Sequence, residues 1–202
     1  MLDLVSVLAA RGLLAVVRAA GPDIALDTVR TLVRCGVSLI EVSLTTPGAE
    51  VVLERASSEL GDEVVLGAGT VRTTADADSA AAAGARFTVT PAVNEAIAHS
   101  RSLGLPVLAG ALTPTEVHNA LAEGAAAIKL FPASLGGVQY LRALRAPYPE
   151  VAFVPVGGVE ENSVRAYLDA GAIAVGVGDP LVGDPIGRTE RIARYHGLAT
   201  RP

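Results

Sequence analysis

Lysine is nearly absent from this chain. Lys129 is the only lysine among the 16 basic residues, and the other 15 are arginines. It lies within an apolar run, residues 125–132, where burial favours the neutral amine that serves as a nucleophile or base. The same run also fits a strand-end lysine whose amine reaches solvent or forms a salt bridge. Lys129 is therefore a candidate catalytic residue, and its position in the fold decides between the two interpretations.

Cysteine and histidine are also scarce. Cys35 is the single cysteine, which excludes an internal disulfide and a thiolate metal cluster. The three histidines lie far apart in the sequence and lack the spacing of metal ligands. We therefore expect neither a metal site nor a cofactor.

Basic patches and long apolar runs are missing as well. The formal net charge is −5, so we expect no nucleic-acid partner. No apolar stretch reaches the ~18 residues needed to cross a bilayer, which predicts no membrane partner. Asp3 and Arg11 interrupt the opening segment, which is unlike a signal peptide. These features predict a cytoplasmic protein.

Short β-branched runs alternate with helical segments along the whole chain. Half of the residues are hydrophobic but only 3% are aromatic, so the core consists of Val, Leu, Ile and Ala, as in buried parallel strands. Eight such units predict an α/β fold, a (β/α)8 TIM barrel. We expect the barrel to be one compact domain over residues 1–202, with a short helix before the first strand. A doubly wound open sheet is the alternative. The predicted strands span residues 13–17, 38–44, 63–66, 86–90, 106–108, 126–131, 151–156 and 173–177.

Glu41 is a carboxylate inside an apolar strand, Leu39-Ile40-Glu41-Val42. Strand alternation turns Ile40 and Val42 toward the helices and Glu41 toward the barrel axis. The same alternation points Lys129 inward on the sixth strand. Strands two and six face each other in a ring of eight, so we expect the acid and the amine to meet near the axis. This pair is either a catalytic pair or a plain buried ion pair.

Other candidate groups follow strand ends, where the active sites of such barrels lie. Arg18 follows the first strand and could bind a carboxylate or phosphate, or form a salt bridge at the rim, for instance with Glu41. Glycines follow strands seven and eight, at Gly157-Gly158 and Gly176-Val177-Gly178. Free backbone N–H groups there could bind a phosphate, although glycine is also common in ordinary turns.

Five motifs in this order resemble the 2-keto-3-deoxy-6-phosphogluconate (KDPG) and 4-hydroxy-2-oxoglutarate (KHG) aldolase family. The resemblance runs from about residue 13 to residue 182, and no single motif is decisive. The motifs are Leu39-Ile40-Glu41-Val42, Gly67-Ala68-Gly69-Thr70-Val71, Leu112-Thr113-Pro114-Thr115-Glu116, Ile128-Lys129-Leu130-Phe131-Pro132-Ala133 and Pro155-Val156-Gly157-Gly158-Val159.

This resemblance implies a metal-independent class I aldolase that acts on a 2-keto acid and forms a homotrimer. Lys129 matches the family's Schiff-base lysine and Glu41 its general acid and base. Thr70 matches a residue that contacts the pyruvate carboxylate, Arg18 matches an active-site arginine, and Pro91 lies in the family's fourth-strand loop.

The chain departs from the family pattern at three positions. Thr45 stands where some relatives have an arginine, so carboxylate binding would depend more on Arg18 and Thr70. Val156 resembles the phosphogalactonate-type (KDPGal) relatives rather than those that cleave KDPG. Asp179, in Gly178-Asp179-Pro180, replaces a serine that normally donates to the substrate phosphate. A carboxylate there would repel a phosphate, unless Asp179 only caps the last helix.

Two other functions remain open on the sequence. A sugar-phosphate isomerase or epimerase could use Glu41 as a base on the same barrel without a covalent step. A binding protein that keeps the barrel without catalysis, or a family member with reduced catalysis, would explain Thr45 and Asp179. Only the aldolase hypothesis requires a covalent bond between Lys129 and the substrate.

Overall fold

The computed structural model describes residues 2–200, and its centre is a ring of eight parallel strands. Neighbouring strands pair in the order β7-β6-β5-β4-β3-β2-β1-β8. The ring closes between β7 and β8, where Ile173 N donates to Phe153 O at 3.0 Å and Val156 bridges Gly176. The structure thus confirms the predicted barrel over the open sheet. The strands are β1 Leu13–Val17, β2 Leu39–Ser43, β3 Val65–Gly69, β4 Thr88–Thr90, β5 Val107–Ala111, β6 Ala127–Leu130, β7 Phe153–Pro155 and β8 Val175–Val177.

Helices follow the strands and cover the outside of the ring. They are α1 Leu4–Arg11, α2 Pro22–Arg34, α3 Ala49–Leu60, α4 Thr74–Ala82, α5 Ala96–Ser102, α6 Pro114–Ala122, α7 Gly137–Arg145, α8 Val164–Asp169, α9 Asp179–Val182 and α10 Arg188–Ala199, with short 3-10 turns at Ala133–Leu135 and Glu161–Ser163. None of the helices between residues 2 and 200 is long and apolar enough to span a membrane.

The buried apolar side chains form two separate cores. Ile40, Val42 and Ile128 belong to the outer core, between the strands and the helices. Leu39 and Ala127 belong to the inner core, inside the ring. The alternation expected for β2 and β6 is therefore present, and it leaves the intervening Glu41 and Lys129 on the inner side.

Helix α1 packs against the inner core. Its side chains Leu4 and Leu8 join that core and are 1% and 0% exposed. Asp3 caps the helix by accepting from Ser6 N at 3.1 Å, and Gly12 ends it with φ 69°. Helix α1 therefore contributes core residues as well as preceding β1.

Only β1 has its predicted bounds; five strands are shorter than predicted, and two extend past their predicted ends because they contain glycines. Strand β3 was expected at 63–66 but runs Val65–Gly69, and β5 was expected at 106–108 but runs Val107–Ala111. Because glycine has a low strand propensity, both strands were predicted to end before they do. In the barrel a Cβ atom on Gly67 would overlap the Phe87 ring, so the missing side chain leaves room for a neighbour.

Candidate active site

A cavity of about 470 Å³ opens where the strands end at their carboxyl side. Pockets of this size commonly hold small molecules, and this end is where barrel active sites lie. Of the eleven predicted site residues only Thr45 is outside the lining. The ten that line the cavity are Arg18, Glu41, Thr70, Pro91, Lys129, Val156, Gly157, Gly158, Gly178 and Asp179.

Glu41 and Lys129 come together from opposite sides of the barrel. The distance from Lys129 Nζ to Glu41 Oε2 is 3.7 Å, and the two residues are 7% and 1% exposed. Glu41 Oε2 has no hydrogen-bond partner in the described part of the chain. A buried carboxylate oxygen without a hydrogen bond costs free energy. This atom is therefore positioned to accept a proton or a hydrogen bond from a ligand.

Gly69 provides the space that the Glu41 carboxylate occupies. It stands on β3 next to Ser43 of β2, and a Cβ atom at this position would overlap the carboxylate. The Gly67-Ala68-Gly69 segment therefore positions an acid while adding no functional group of its own.

Phe131 covers the amine from the other side. The Lys129 Nζ lies 5.4 Å from the centre of the Phe131 ring, within the range of a cation–π contact. The loop that carries Phe131 is tied to the end of β7, because Ala133 N donates to Val156 O at 2.9 Å. Tyr167 also donates to Ala133 O at 3.1 Å, and burial raises the pKa of this tyrosine. Sequence reasoning missed Phe131, although it stands only two residues beyond the lysine.

Three hydroxyl groups form a chain beside the cavity. Ser43 Oγ lies 2.9 Å from Thr70 Oγ1 and 2.8 Å from Thr45 Oγ1. Ser43 is fully buried, Thr70 lines the cavity, and Thr45 is exposed outside it. Thr45 therefore reaches the cavity only through Ser43 and Thr70. Ser43 could not be identified from the sequence, because a serine at the end of a strand is common.

Thr70 has an unusual backbone conformation. With φ 61° it is the only non-glycine residue at positive φ within residues 2–200. A β-branched residue in this region is strained, by about 1–3 kcal/mol, and such strain is concentrated at functional sites. The conformation supports Thr70 as part of the site.

Arg18 extends from the end of β1, which lies between β8 and β2. It is exposed, lines the cavity, and forms no ion pair or side-chain hydrogen bond with another described residue. The alternative of a rim salt bridge with Glu41 is thus not seen. The guanidinium is free to meet an anionic ligand.

The outer part of the cavity is formed by the loops after β7 and β8. Gly157 and Gly158 have φ of 87° and 74°, and a Cβ atom on Gly157 would come within 2.9 Å of the Phe131 ring. Asp179 is the first residue of α9, and its side chain makes no capping bond. The idea that Asp179 caps the last helix is wrong, because α10 begins after Gly187. Glu160 also lines this part, and sequence reasoning had missed it.

Comparison with known proteins agrees with this geometry. The family model for KDPG and KHG aldolase matches residues 4–194. The 2-dehydro-3-deoxy-6-phosphogalactonate aldolase of Escherichia coli K12 is 35% identical over 185 residues, which is 90% of each chain. The 2-dehydro-3-deoxy-phosphogluconate aldolase of Treponema pallidum is 39% identical over 146 residues, 71% of this chain and 69% of the relative.

Solved structures show the same similarity. The KDPG aldolase from Legionella pneumophila, with pyruvate captured at low pH as a covalent carbinolamine intermediate, is 28% identical and superposes with a TM-score of 0.85. The match covers 98% of this chain and 97% of that one. Fold and sequence similarity thus agree, and the chain belongs to the KDPG and KHG aldolase family, whose members are carbon–carbon lyases.

Proposed function

We propose that this protein is a class I aldolase that cleaves a 2-keto acid to pyruvate and an aldehyde through a Schiff base on Lys129. The observation that carries the proposal is the buried amine lying 3.7 Å from the Glu41 carboxylate within the cavity. An amine nucleophile beside a proton-transferring group is the pair that Schiff-base chemistry requires. The carbinolamine formed by the Legionella relative supports the same first step.

The proposed reaction starts with the neutral amine of Lys129 attacking the C2 ketone. The resulting carbinolamine loses water and becomes an iminium ion. As the C4 hydroxyl gives up its proton, the C3–C4 bond breaks, and its electron pair moves into the iminium to form an enamine. Protonation at C3 and hydrolysis then release pyruvate and restore the amine. Glu41, directly or through a water molecule, accepts and returns these protons, which contributes about 10²–10⁴ in rate.

The substrate carboxylate is proposed to bind Thr70 and Arg18. Both line the cavity, one with a hydroxyl donor and the other with an unpaired guanidinium. Pro91 and Val156 line the same cavity and would limit the shape of the carbon chain. Thr45 is not proposed as a direct contact, because it is absent from the lining.

The substrate class is proposed from the family. The two relatives compared above are named for phosphogalactonate and phosphogluconate, and the family model also includes KHG aldolases. We therefore propose a six-carbon 2-keto-3-deoxy sugar acid or 4-hydroxy-2-oxoglutarate as substrate. Their shared part, a 2-keto acid with a hydroxyl at C4, is the part the mechanism uses.

Borohydride trapping tests the proposal directly. Reduction in the presence of pyruvate should add the mass of one reduced pyruvate to the peptide that contains Lys129. Lys129→Arg keeps the positive charge but should give no adduct. Glu41→Gln should still form an adduct while kcat falls by about 10²–10⁴.

Two results would contradict the aldolase. Interconversion of sugar phosphates without an adduct would support the isomerase or epimerase. Exchange of pyruvate methyl protons no faster than with Lys129→Ala would indicate a binding protein without catalysis.

We also propose a homotrimer in the cytoplasm, with residues 1–202 as a single domain. Trimer formation follows from the family resemblance, and the unpaired Cys35 supports a reducing compartment. The eight strands of a single ring support the single domain. Light scattering should give three times the 20.5 kDa of one chain, and a monomer mass would contradict the trimer.

A further inference from the structure

The outer part of the cavity is acidic. Glu160 after β7 and Asp179 after β8 both line it, and both are exposed. The cationic residues in the lining are Arg18 and Lys129. Lys129 lies beside Glu41 in the interior, so Arg18 is the one cation left to balance two carboxylates.

The Asp179 carboxylate is not neutralised by the protein. Its side chain has no hydrogen bond and no ion pair with any described residue. Strand β8 pairs with β1, so Asp179 and Arg18 follow neighbouring strands, and yet they form no salt bridge. A ligand that reaches this end of the cavity therefore meets a carboxylate whose oxygens have no partner in the part of the protein that the structure describes.

Lys129 and Asp179 lie at different depths of the cavity, the first buried and the second exposed. The amine binds C2, and the carboxylate at C1 takes Arg18 and Thr70 in the proposed mechanism. Lys129 lies inside strand β6, whereas Asp179 follows the end of β8. A carbon chain that extends outward from C4 therefore reaches the exposed part of the lining, where Asp179 and Glu160 lie.

We propose that Asp179 makes this cavity select 2-keto acids whose distal end is uncharged and hydroxylated, and reject those that end in a phosphate. Among the proposed substrates this favours the unphosphorylated sugar acid over 4-hydroxy-2-oxoglutarate, which ends in a second carboxylate. This inference rests on the proposed aldolase. A hydroxyl donates to a carboxylate, whereas a phosphate carries about −1.5 to −2 charge at pH 7 and brings acceptor oxygens. The Asp179 carboxylate and a substrate phosphate therefore repel each other. Repulsion of the wrong ligand is a common source of specificity.

The test compares cleavage of a 2-keto-3-deoxy sugar acid with and without a 6-phosphate. The wild type should have the higher kcat/KM for the unphosphorylated acid. Asp179→Asn removes the charge at nearly constant shape and should raise kcat/KM for the phosphorylated acid by about tenfold or more. The same variant should lower kcat/KM for the unphosphorylated acid severalfold, since a neutral amide accepts a weaker hydrogen bond than a carboxylate does.

Glu190→Gln is the matched control for net charge. Glu190 lies on α10 outside the cavity lining, so this change should leave the ratio of the two kcat/KM values unchanged. Raised salt should reduce the wild type's preference, because mobile ions screen exposed charges, and should affect Asp179→Asn less.

Borohydride trapping with pyruvate on the same samples separates the two proposals. A missing adduct refutes the aldolase. With an adduct present, a wild-type preference for the phosphorylated acid refutes the role of Asp179. The role is equally refuted if Asp179→Asn gives no gain with the phosphorylated acid, or if the wild type cleaves neither acid.

Discussion

At the scale of single residues, a buried serine orients a residue of the cavity. Ser43 Oγ bonds both Thr45 Oγ1 and Thr70 Oγ1, and Thr70 holds a strained backbone conformation. A residue in a sparsely populated backbone conformation persists only where its surroundings hold it. We infer that Ser43 is a positioning residue for the Thr70 hydroxyl.

Ser43→Ala should therefore weaken substrate binding more than chemistry. Loss of one hydrogen bond is expected to raise KM by about three- to tenfold with kcat changed by less than about twofold. The control is Ser38→Ala, because the Ser38 hydroxyl is buried and has no hydrogen-bond partner among the described residues. Equal effects of the two substitutions on KM, measured by steady-state kinetics, would argue against the positioning role.

The sequence could reveal some of these residues and not others. Lys129 and Glu41 were visible because a charge inside an apolar strand is rare. Ser43 was not visible, because a serine in a strand is unremarkable until its partners are known. Gly69 was hidden for a related reason: its function depends on the Glu41 carboxylate, which reaches it from a neighbouring strand.

At the scale of elements, α6 has a reciprocal capping box. Glu116 N donates to Thr113 Oγ1, and the Glu116 carboxylate accepts from Thr113 N at 2.7 Å and Leu112 N at 2.8 Å. These backbone hydrogen bonds, Thr113 first, lower the pKa of Glu116 below its ordinary value of 4.5. The Thr-Pro-Thr-Glu sequence predicted this helix start.

Glu116→Ala should destabilise the protein by about 1 kcal/mol near neutral pH and lower Tm by about 2–4 °C. Because the folded-state pKa is lowered, this contribution is present above pH 4.5 and is lost as pH falls through the folded value. The Tm difference from wild type should therefore shrink in acid. Thr115→Ala on the same exposed turn is the control. A Tm difference between wild type and Glu116→Ala that does not change with pH would contradict the capping role of the Glu116 carboxylate.

Element bounds were predictable wherever the local pattern agreed with the barrel. Strand β1 was predicted at its observed bounds, 13–17, because its apolar run carries no breaker. The four-residue helix α9 was missed, since it is too short for a periodic pattern. The predicted ends of β3 and β5 were wrong because these strands contain glycines, which make room for atoms of neighbouring segments.

At the scale of the whole molecule, stability depends on two cores that share one ring of strands. The inner core is small, and α1 supplies two of its buried leucines. Glu41 and Lys129, the proposed catalytic pair, also lie on the inner side. Removing α1 side chains therefore changes the packing beneath the site and leaves the outer core intact.

Leu8→Ala should lower the free energy of unfolding by about 2–5 kcal/mol, because Leu8 is fully buried and the ring cannot collapse easily around a void. Tm should fall by about 5–15 °C. Leu135→Ala is the matched control, since Leu135 is 70% exposed. A Tm change equal to that of the control would show that α1 is not part of the core.

The sole lysine has a practical consequence for handling the protein. Reagents that couple to ε-amines find no target on the exterior, because the one such group is 7% exposed and lies in the cavity. Immobilisation through an ε-amine would therefore occupy the cavity itself. Coupling through carboxylates or through the half-buried Cys35 thiol offers another route.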